Sequence, residues 1–96
     1  MILVVGGYSQ GKSEFANKQF NLENILRLEE FEGDVFSYVE THRDCVIISD
    51  EIGCGVVPIE AEKRQRIEYI GRTQIELGKR ADEVWRVVCG IGHRIK

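Results

Sequence analysis

The stretch Ile2-Leu3-Val4-Val5-Gly6-Gly7-Tyr8-Ser9-Gln10-Gly11-Lys12-Ser13 decides how the rest of the chain is read. Its first four residues are uniformly apolar, with two β-branched valines, and the run stops abruptly at Gly6-Gly7. A short apolar run without polar alternation marks a strand buried on both faces of a parallel sheet. From Lys12 to about Phe20 the apolar residues recur at helical spacing, so the chain passes directly from strand into helix. Gly6 to Ser13 matches G-x-x-x-x-G-K-[ST] at the strand-to-helix junction where that pattern belongs. Gly6 and Gly11 allow backbone angles and a close approach that a β-carbon obstructs, so successive N–H groups can converge on phosphate oxygens. The first helix then starts at the anion, and its unpaired N–H groups and dipole add to the attraction. Gly6, Gly7, Tyr8, Ser9, Gln10, Gly11, Lys12 and Ser13 are therefore the candidate triphosphate-binding residues, with Lys12 reaching the β- and γ-phosphates and Ser13 offering its hydroxyl to Mg²⁺. An ordinary glycine turn before a helix is the weaker reading, because chance produces such a match in a chain of this size on the order of a few times in a thousand.

Working outward, Ile25-Leu26-Arg27-Leu28 reads as a second strand. Gly33-Asp34 reads as a turn and N-cap for a short helix to about His42, with Val35, Phe36 and Val39 as its apolar stripe. Cys45-Val46-Ile47-Ile48 is another buried strand, closed by Ser49-Asp50-Glu51. After Gly53-Cys54-Gly55 and Pro58 comes the longest amphipathic helix, Ala61 to Arg80, with Ile67, Ile70, Gln74 and Leu77 on one face. Glu83–Cys89 forms the final strand, and Gly90-Ile91-Gly92-His93 leaves its end. The expected fold is α/β: one small P-loop NTPase-like domain over residues 1–96, with a mostly parallel sheet of about four strands in βαβαβαβ order and right-handed crossovers.

Composition excludes several classes. The apolar runs are far shorter than the ~18–20 residues of a membrane span, and Met1-Ile2-Leu3-Val4-Val5 lacks the basic flank of a signal peptide, so a cytoplasmic protein without membrane attachment is expected. Thirteen basic and sixteen acidic residues offer no global attraction to nucleic acid. Cys45, Cys54 and Cys89 have no C-x-x-C spacing and an odd count, which suggests neither a disulfide framework nor a zinc site; Cys45 and Cys89 are expected in the core.

A phosphate loop that serves catalysis needs an acidic group beside it. Asp50 and Glu51 follow the Cys45 strand, and in a parallel sheet that end shares an edge with the loop. Together with Ser13 they are the candidate metal ligands, and Lys12 and Glu51 the candidate catalytic residues. A solvated pair of acids at a strand end is the alternative.

The C-terminal half is more particular. Asp50-Glu51-Ile52-Gly53-Cys54-Gly55-Val56-Val57-Pro58, then Gly71-Arg72, Ala81-Asp82-Glu83-Val84-Trp85, and Gly90-Ile91 through Ile95-Lys96 resemble the bifunctional adenosylcobinamide kinase/adenosylcobinamide-phosphate guanylyltransferase family of cobalamin biosynthesis. The first strand and phosphate loop fit the same family. The resemblance implies ATP or GTP with Mg²⁺ as cofactor, adenosylcobinamide as the phosphoryl acceptor, Gly6, Gly11, Lys12 and Ser13 as triphosphate ligands, and Glu51 as the family's glutamate. It also implies a role for Arg72, beside the plainer reading of a solvated helix arginine. Only about twenty-five residues separate the first helix from the Cys45 strand. The family has there two further strands and the histidine that accepts GMP, so guanylyl transfer is not expected of this shortened form. His42 is expected at the opposite edge from the loop and His93 at the loop's own edge.

Two other classes are weighed. One is a catalytically reduced nucleotide-binding module with a regulatory or assembly role; the other, a GTPase-like switch, lacks an N-K-x-D motif. A small sheet under few helices leaves Trp85, Phe31, Phe36 and Tyr69 needing cover. With the ring-like assembly of the family, this leads to an expectation of a homo-oligomer, a trimer favoured.

Overall fold

The computed structural model describes residues 1–7, 10–20, 24–51 and 59–96. The opening apolar run forms strand β1 (Ile2–Gly6), and helix α1 (Lys12–Gln19) starts directly after Gly11. Strand β2 (Ile25–Arg27) runs into a single 3₁₀ turn, Leu28–Glu30, followed by helix α2 (Val35–Thr41) and strand β3 (Val46–Asp50). The long helix α3 (Ala61–Arg80) leads to β4 (Glu83–Val88) and β5 (Ile91–Arg94). The strands lie in the order β2-β3-β1-β4-β5, parallel except for β5.

Helices cover both faces, which is why the central strands carry no polar alternation. On one face α1 packs Ala16, Phe15 and Phe20 over Val4, Val46, Ile48 and Val87. Phe15 and Phe20 also flank Trp85, at ring separations of 5.5 and 5.8 Å. On the other face α2 and α3 place Val35, Val39, Ile70 and Leu77 over Leu3, Ile47 and Val84. Three of the four residues expected to need outside cover thus find it within the chain: Trp85 under the two phenylalanines, Phe31 against Tyr38 at 5.3 Å, and Phe36 beneath the Arg80 guanidinium at 4.7 Å. Tyr69 stays half exposed.

The sheet has five strands rather than four. The segment Gly90-Ile91-Gly92-His93 does not leave the last strand but folds back along it as β5. The reversal is made by Cys89 and Gly90, both in the left-handed region (φ 51° and 76°), the requirement of a two-residue hairpin turn matched to strand twist. Cysteine rarely adopts that conformation, so the turn carries only half of its usual sequence signal. Cys89 is consequently exposed, not in the core as expected, whereas Cys45 is fully buried. Cys54 lies outside the described residues.

The turn before α2 is as expected. Gly33 has φ 99°, and Asp34 caps the helix: Oδ1 accepts from the backbone N–H groups of Phe36 (3.0 Å) and Ser37 (3.4 Å), and Oδ2 from the Ser37 hydroxyl (2.8 Å). The Ser37 hydroxyl, aided by those backbone donors, holds the Asp34 carboxyl below its ordinary value.

Ile47, with no exposed surface at the centre of β3, should be the sensitive core position. Ile47→Ala is expected to lower unfolding free energy by about 3 kcal/mol in denaturant titration, whereas Ile75→Ala, on the exposed side of α3, should stay within about 0.5 kcal/mol. Because the Asp34 carboxyl is lowered on folding, its contribution is present above the ordinary carboxylate range and lost as pH falls through the folded value. The stability difference between the wild type and Asp34→Ala should therefore shrink below about pH 4. Thermal melts across that range check it, and a constant difference would contradict the capping role.

Candidate functional site

The site is built where β1 ends and α1 begins. Gly6 lies in the sheet so close to β4 that a β-carbon there would meet the Val87 carbonyl oxygen at 2.5 Å, which no side chain could relieve. Gly11 stands in the left-handed region (φ 85°) at the N-cap of α1, and its carbonyl accepts the first helical bond, from Phe15 N–H at 2.9 Å. Both glycines of the motif are thus fixed by backbone geometry. Gln10 ties the loop to the hairpin: its side-chain oxygen accepts from Cys89 N–H (2.8 Å) and its carbonyl from Gly90 N–H (2.7 Å). Tyr8 and Ser9 lie outside the described residues.

Lys12 is only 5% exposed, unusual for a lysine. Its ammonium donates to the Gly7 carbonyl at 2.7 Å and lies 2.8 Å from Asp50 Oδ1. Parallel pairing explains the meeting, since Gly6 and Asp50 are register partners at the ends of β1 and β3. Arg27, at the end of β2, brings a second cation to Asp50 Oδ1 at 3.6 Å. Glu29, in the 3₁₀ turn, clamps the strand end, accepting from the Ser49 hydroxyl (2.7 Å) and the Asp50 N–H (2.8 Å). From α3, the Gln74 side-chain amide donates to Ser49 Oγ and the Asp50 carbonyl, both at 2.6 Å.

Of the two candidate carboxylates the structure brings only Asp50 to Lys12. Glu51 is tied to the end of β1 through its N–H, which donates to the Gly6 carbonyl at 2.7 Å, but its carboxylate pairs with Arg86 of β4 at 3.2 Å. Ser13 is exposed in the first turn of α1. Among the described residues no group of three or more His, Cys, Asp or Glu side chains forms a metal cage. Mg²⁺ does not need one, since it binds through one or two protein oxygens together with substrate phosphates. Asp50 Oδ1, buried and held among the described residues by charge pairing to Lys12 and Arg27, and the Ser13 hydroxyl are hard donors of that kind and fit such an ion. Beside them a cavity of about 230 Å³ is lined by Gln10, Gly11, Lys12, Ser13 and Glu14 with Arg27 and Asp50.

The other polar candidates lie elsewhere. His42 caps the far end of α2, stacked on Tyr38 at 4.0 Å. His93 is not at the loop's edge, because the hairpin carries it back to mid-strand opposite Arg86. Arg72 is exposed on α3. Residues 52–58, most of the glycine-rich segment before α3, lie outside the described residues. Sequence reasoning passed over Arg27, Glu29 and Gln74. Arg27 could be found from the sequence only by noticing that a charged residue ends a strand parallel to the one bearing Asp50.

Residues 25–95 match the model of a family described as cobinamide kinase / cobinamide phosphate guanyltransferase. The bifunctional adenosylcobalamin biosynthesis protein CobU of Salmonella typhimurium is 43% identical over 51 residues, which is 53% of this chain and 28% of that protein. The protein of the same name from Escherichia coli K12 is 41% identical over 51 residues, with the same coverage. The matched part is thus little more than a quarter of the length of these curated relatives. Among the described residues no helix is long and apolar enough to cross a membrane. The family match begins at the first residue of β2 and takes in every element from there to β5, most of the chain, so this chain belongs to the cobinamide kinase / cobinamide phosphate guanyltransferase family.

Proposed function

We propose that the chain binds a nucleoside triphosphate, ATP or GTP, with Mg²⁺ on the loop from Gly6 to Ser13, and that it phosphorylates adenosylcobinamide in cobalamin biosynthesis. The observation that carries the reading is the buried Lys12 beside Asp50 at the floor of a cavity on the N-terminus of α1. Loop amides and the helix dipole bind the phosphate oxygens. Lys12 exchanges part of its contact with Gly7 and Asp50 for the β- and γ-phosphate oxygens, neutralising charge that builds on the transferring group. Ser13 and Asp50 would hold the Mg²⁺, which supplies further charge neutralisation when bound. The cobinamide hydroxyl attacks the γ-phosphorus in line as the bond to the bridging oxygen breaks, the hydroxyl proton passes to solvent, and the nucleoside diphosphate leaves. Guanylyl transfer is outside the proposal, since neither of the chain's two histidines borders the cavity.

A second reading has its own observation. Among the described residues both carboxylates that line the cavity are ion-paired, Asp50 with Lys12 and Glu14 with Lys18 at 3.0 Å, which leaves neither of them unpaired to act as general base. A nucleotide-binding module without phosphoryl transfer, serving regulation or assembly, fits that arrangement. Self-association, with a trimer favoured, is compatible with either reading, because Val88, Ile91 and Ile95 of the β4–β5 wing stay exposed. Light scattering at micromolar concentration reads it, and a monomeric mass counts against it.

Calorimetric titration with ATP, GTP and cobinamide, each with and without Mg²⁺, separates the two readings when combined with a phosphorylation assay. Tight triphosphate binding with cobinamide phosphorylation supports the kinase, binding without transfer supports the module, and no nucleotide binding defeats both. Lys12→Ala should weaken triphosphate binding by about tenfold to a hundredfold, the range for losing a charge-assisted hydrogen bond. Asp50→Asn should remove most of the Mg²⁺ enhancement without weakening Mg²⁺-free binding, since a negative charge beside Lys12 and Arg27 is lost.

A further inference from the structure

We propose that Arg27 is a second phosphate-binding cation, one that contacts the terminal phosphate of the bound nucleotide and makes the site select triphosphates over diphosphates. The inference rests on the reading of the loop as a triphosphate site. Three observations carry it. Arg27 is the one contributor to the cavity lining from β2, and it faces the loop across Asp50. The strand order β2-β3-β1 puts Asp50 between the two cations, with Lys12 at 2.8 Å and Arg27 at 3.6 Å from the same carboxylate oxygen. Among the described residues the guanidinium also makes no hydrogen bond. Its nearest acidic oxygens are that of Asp50 at 3.6 Å and Glu30 Oε1 at 3.8 Å, both beyond hydrogen-bonding distance. The contrast with Arg66 and Arg86 is plain, for these donate to the Glu29 carbonyl at 2.8 Å and to the Glu51 carboxylate at 3.2 Å.

Direction follows from the way a phosphate loop holds its ligand. The α- and β-phosphates lie over the loop amides and helix N-terminus, and the γ-phosphate projects toward the metal-side carboxylate at the end of the neighbouring strand. That carboxylate is Asp50, and Arg27 stands on its far side. A cation there meets the terminal phosphate and not the inner two. Its planar fork of donors suits the paired oxygens of a phosphoryl group, which a lysine meets only as a point charge. With Lys12 it makes two positive groups around one carboxylate, so the dianionic end of a triphosphate meets a lining that Asp50 alone does not neutralise.

The test compares ATP with ADP, and GTP with GDP, by calorimetric titration in Mg²⁺ on the wild type, Arg27→Ala and Arg27→Lys. The expected result is that Arg27→Ala weakens triphosphate binding by about tenfold and leaves diphosphate binding within about twofold, with Arg27→Lys in between. The ratio of the two affinities is the decisive readout, because partial unfolding lowers both together. Thermal melts without nucleotide report how much each variant destabilises the fold. A parallel loss of ATP and ADP affinity, or an unchanged ratio, overturns the role of Arg27 while leaving the loop reading intact. A wild type that binds none of the four nucleotides overturns the loop reading itself.

Discussion

A lysine ammonium held out of water beside an aspartate is the constraint on which the rest of this structure depends. Lys12 is almost fully buried, and a buried cation is costly unless it is paired and hydrogen-bonded. Two partners meet that requirement, the Gly7 carbonyl and the Asp50 carboxylate, and neither is local in the ordinary sense. Gly7 is close only because the loop folds back over the start of α1. Asp50 is close only because β3 pairs parallel to β1 with Gly6 and Asp50 in register. A slip of one residue in that pairing would turn the Asp50 side chain to the other face and leave Lys12 unpaired, so the site and the sheet register specify each other.

The Asp50 end of the pair is held with equal care. Glu29 accepts from its N–H, Gln74 donates to its carbonyl, and both also engage the Ser49 hydroxyl. The 3₁₀ turn after β2, the strand β3 and the helix α3 therefore converge on two residues at the strand end. Such a network fixes the backbone from which the carboxylate projects, which preorganises the side chain without touching the cavity. Among the described residues Glu29 Oε2 is left buried without a hydrogen-bond partner. Glu51, one residue later, projects to the opposite side and is engaged by Arg86, so adjacent acids in the sequence do separate work.

The parts of this arrangement that were legible in the sequence are those governed by local pattern. The apolar runs of β1 and β3, the Asp34 cap and the span of α3 all follow from periodicity and end signals, and α3 runs over the residues its apolar stripe indicated. The Gly6 and Gly11 requirements were legible for the same reason, each being a statement about one residue's backbone. The fifth strand was missed because its turn uses Cys89 in a conformation that favours glycine or asparagine. Arg27, Glu29 and Gln74 were missed because they meet Asp50 only through strand order and helix placement. Glu51 was set ahead of Asp50 as a candidate catalytic residue because alternation of side-chain direction is invisible until the strand's faces are assigned.

The missed strand bears directly on the loop. Three of its neighbours belong to the β4–β5 hairpin: the Val87 carbonyl that excludes a β-carbon at Gly6, the Cys89 and Gly90 N–H groups held by Gln10, and the Gly90 backbone against which Gly11 packs. The approach of Gly11 to Gly90 leaves little room on either side, since a β-carbon on Gly11 would lie 3.2 Å from the Gly90 Cα. Further along the hairpin, Phe15 of α1 occupies the space that a side chain at Gly92 would need. The family match starts after the Gly6–Ser13 loop, yet the residues that shape the loop from β4 and the hairpin turn lie inside that match. Loop and matched segment are therefore one mechanical unit. A change in the hairpin turn reaches the geometry of the Gly6–Ser13 loop without touching a residue of that loop, because the close approaches described for the loop are made to backbone atoms of the hairpin and not to its side chains.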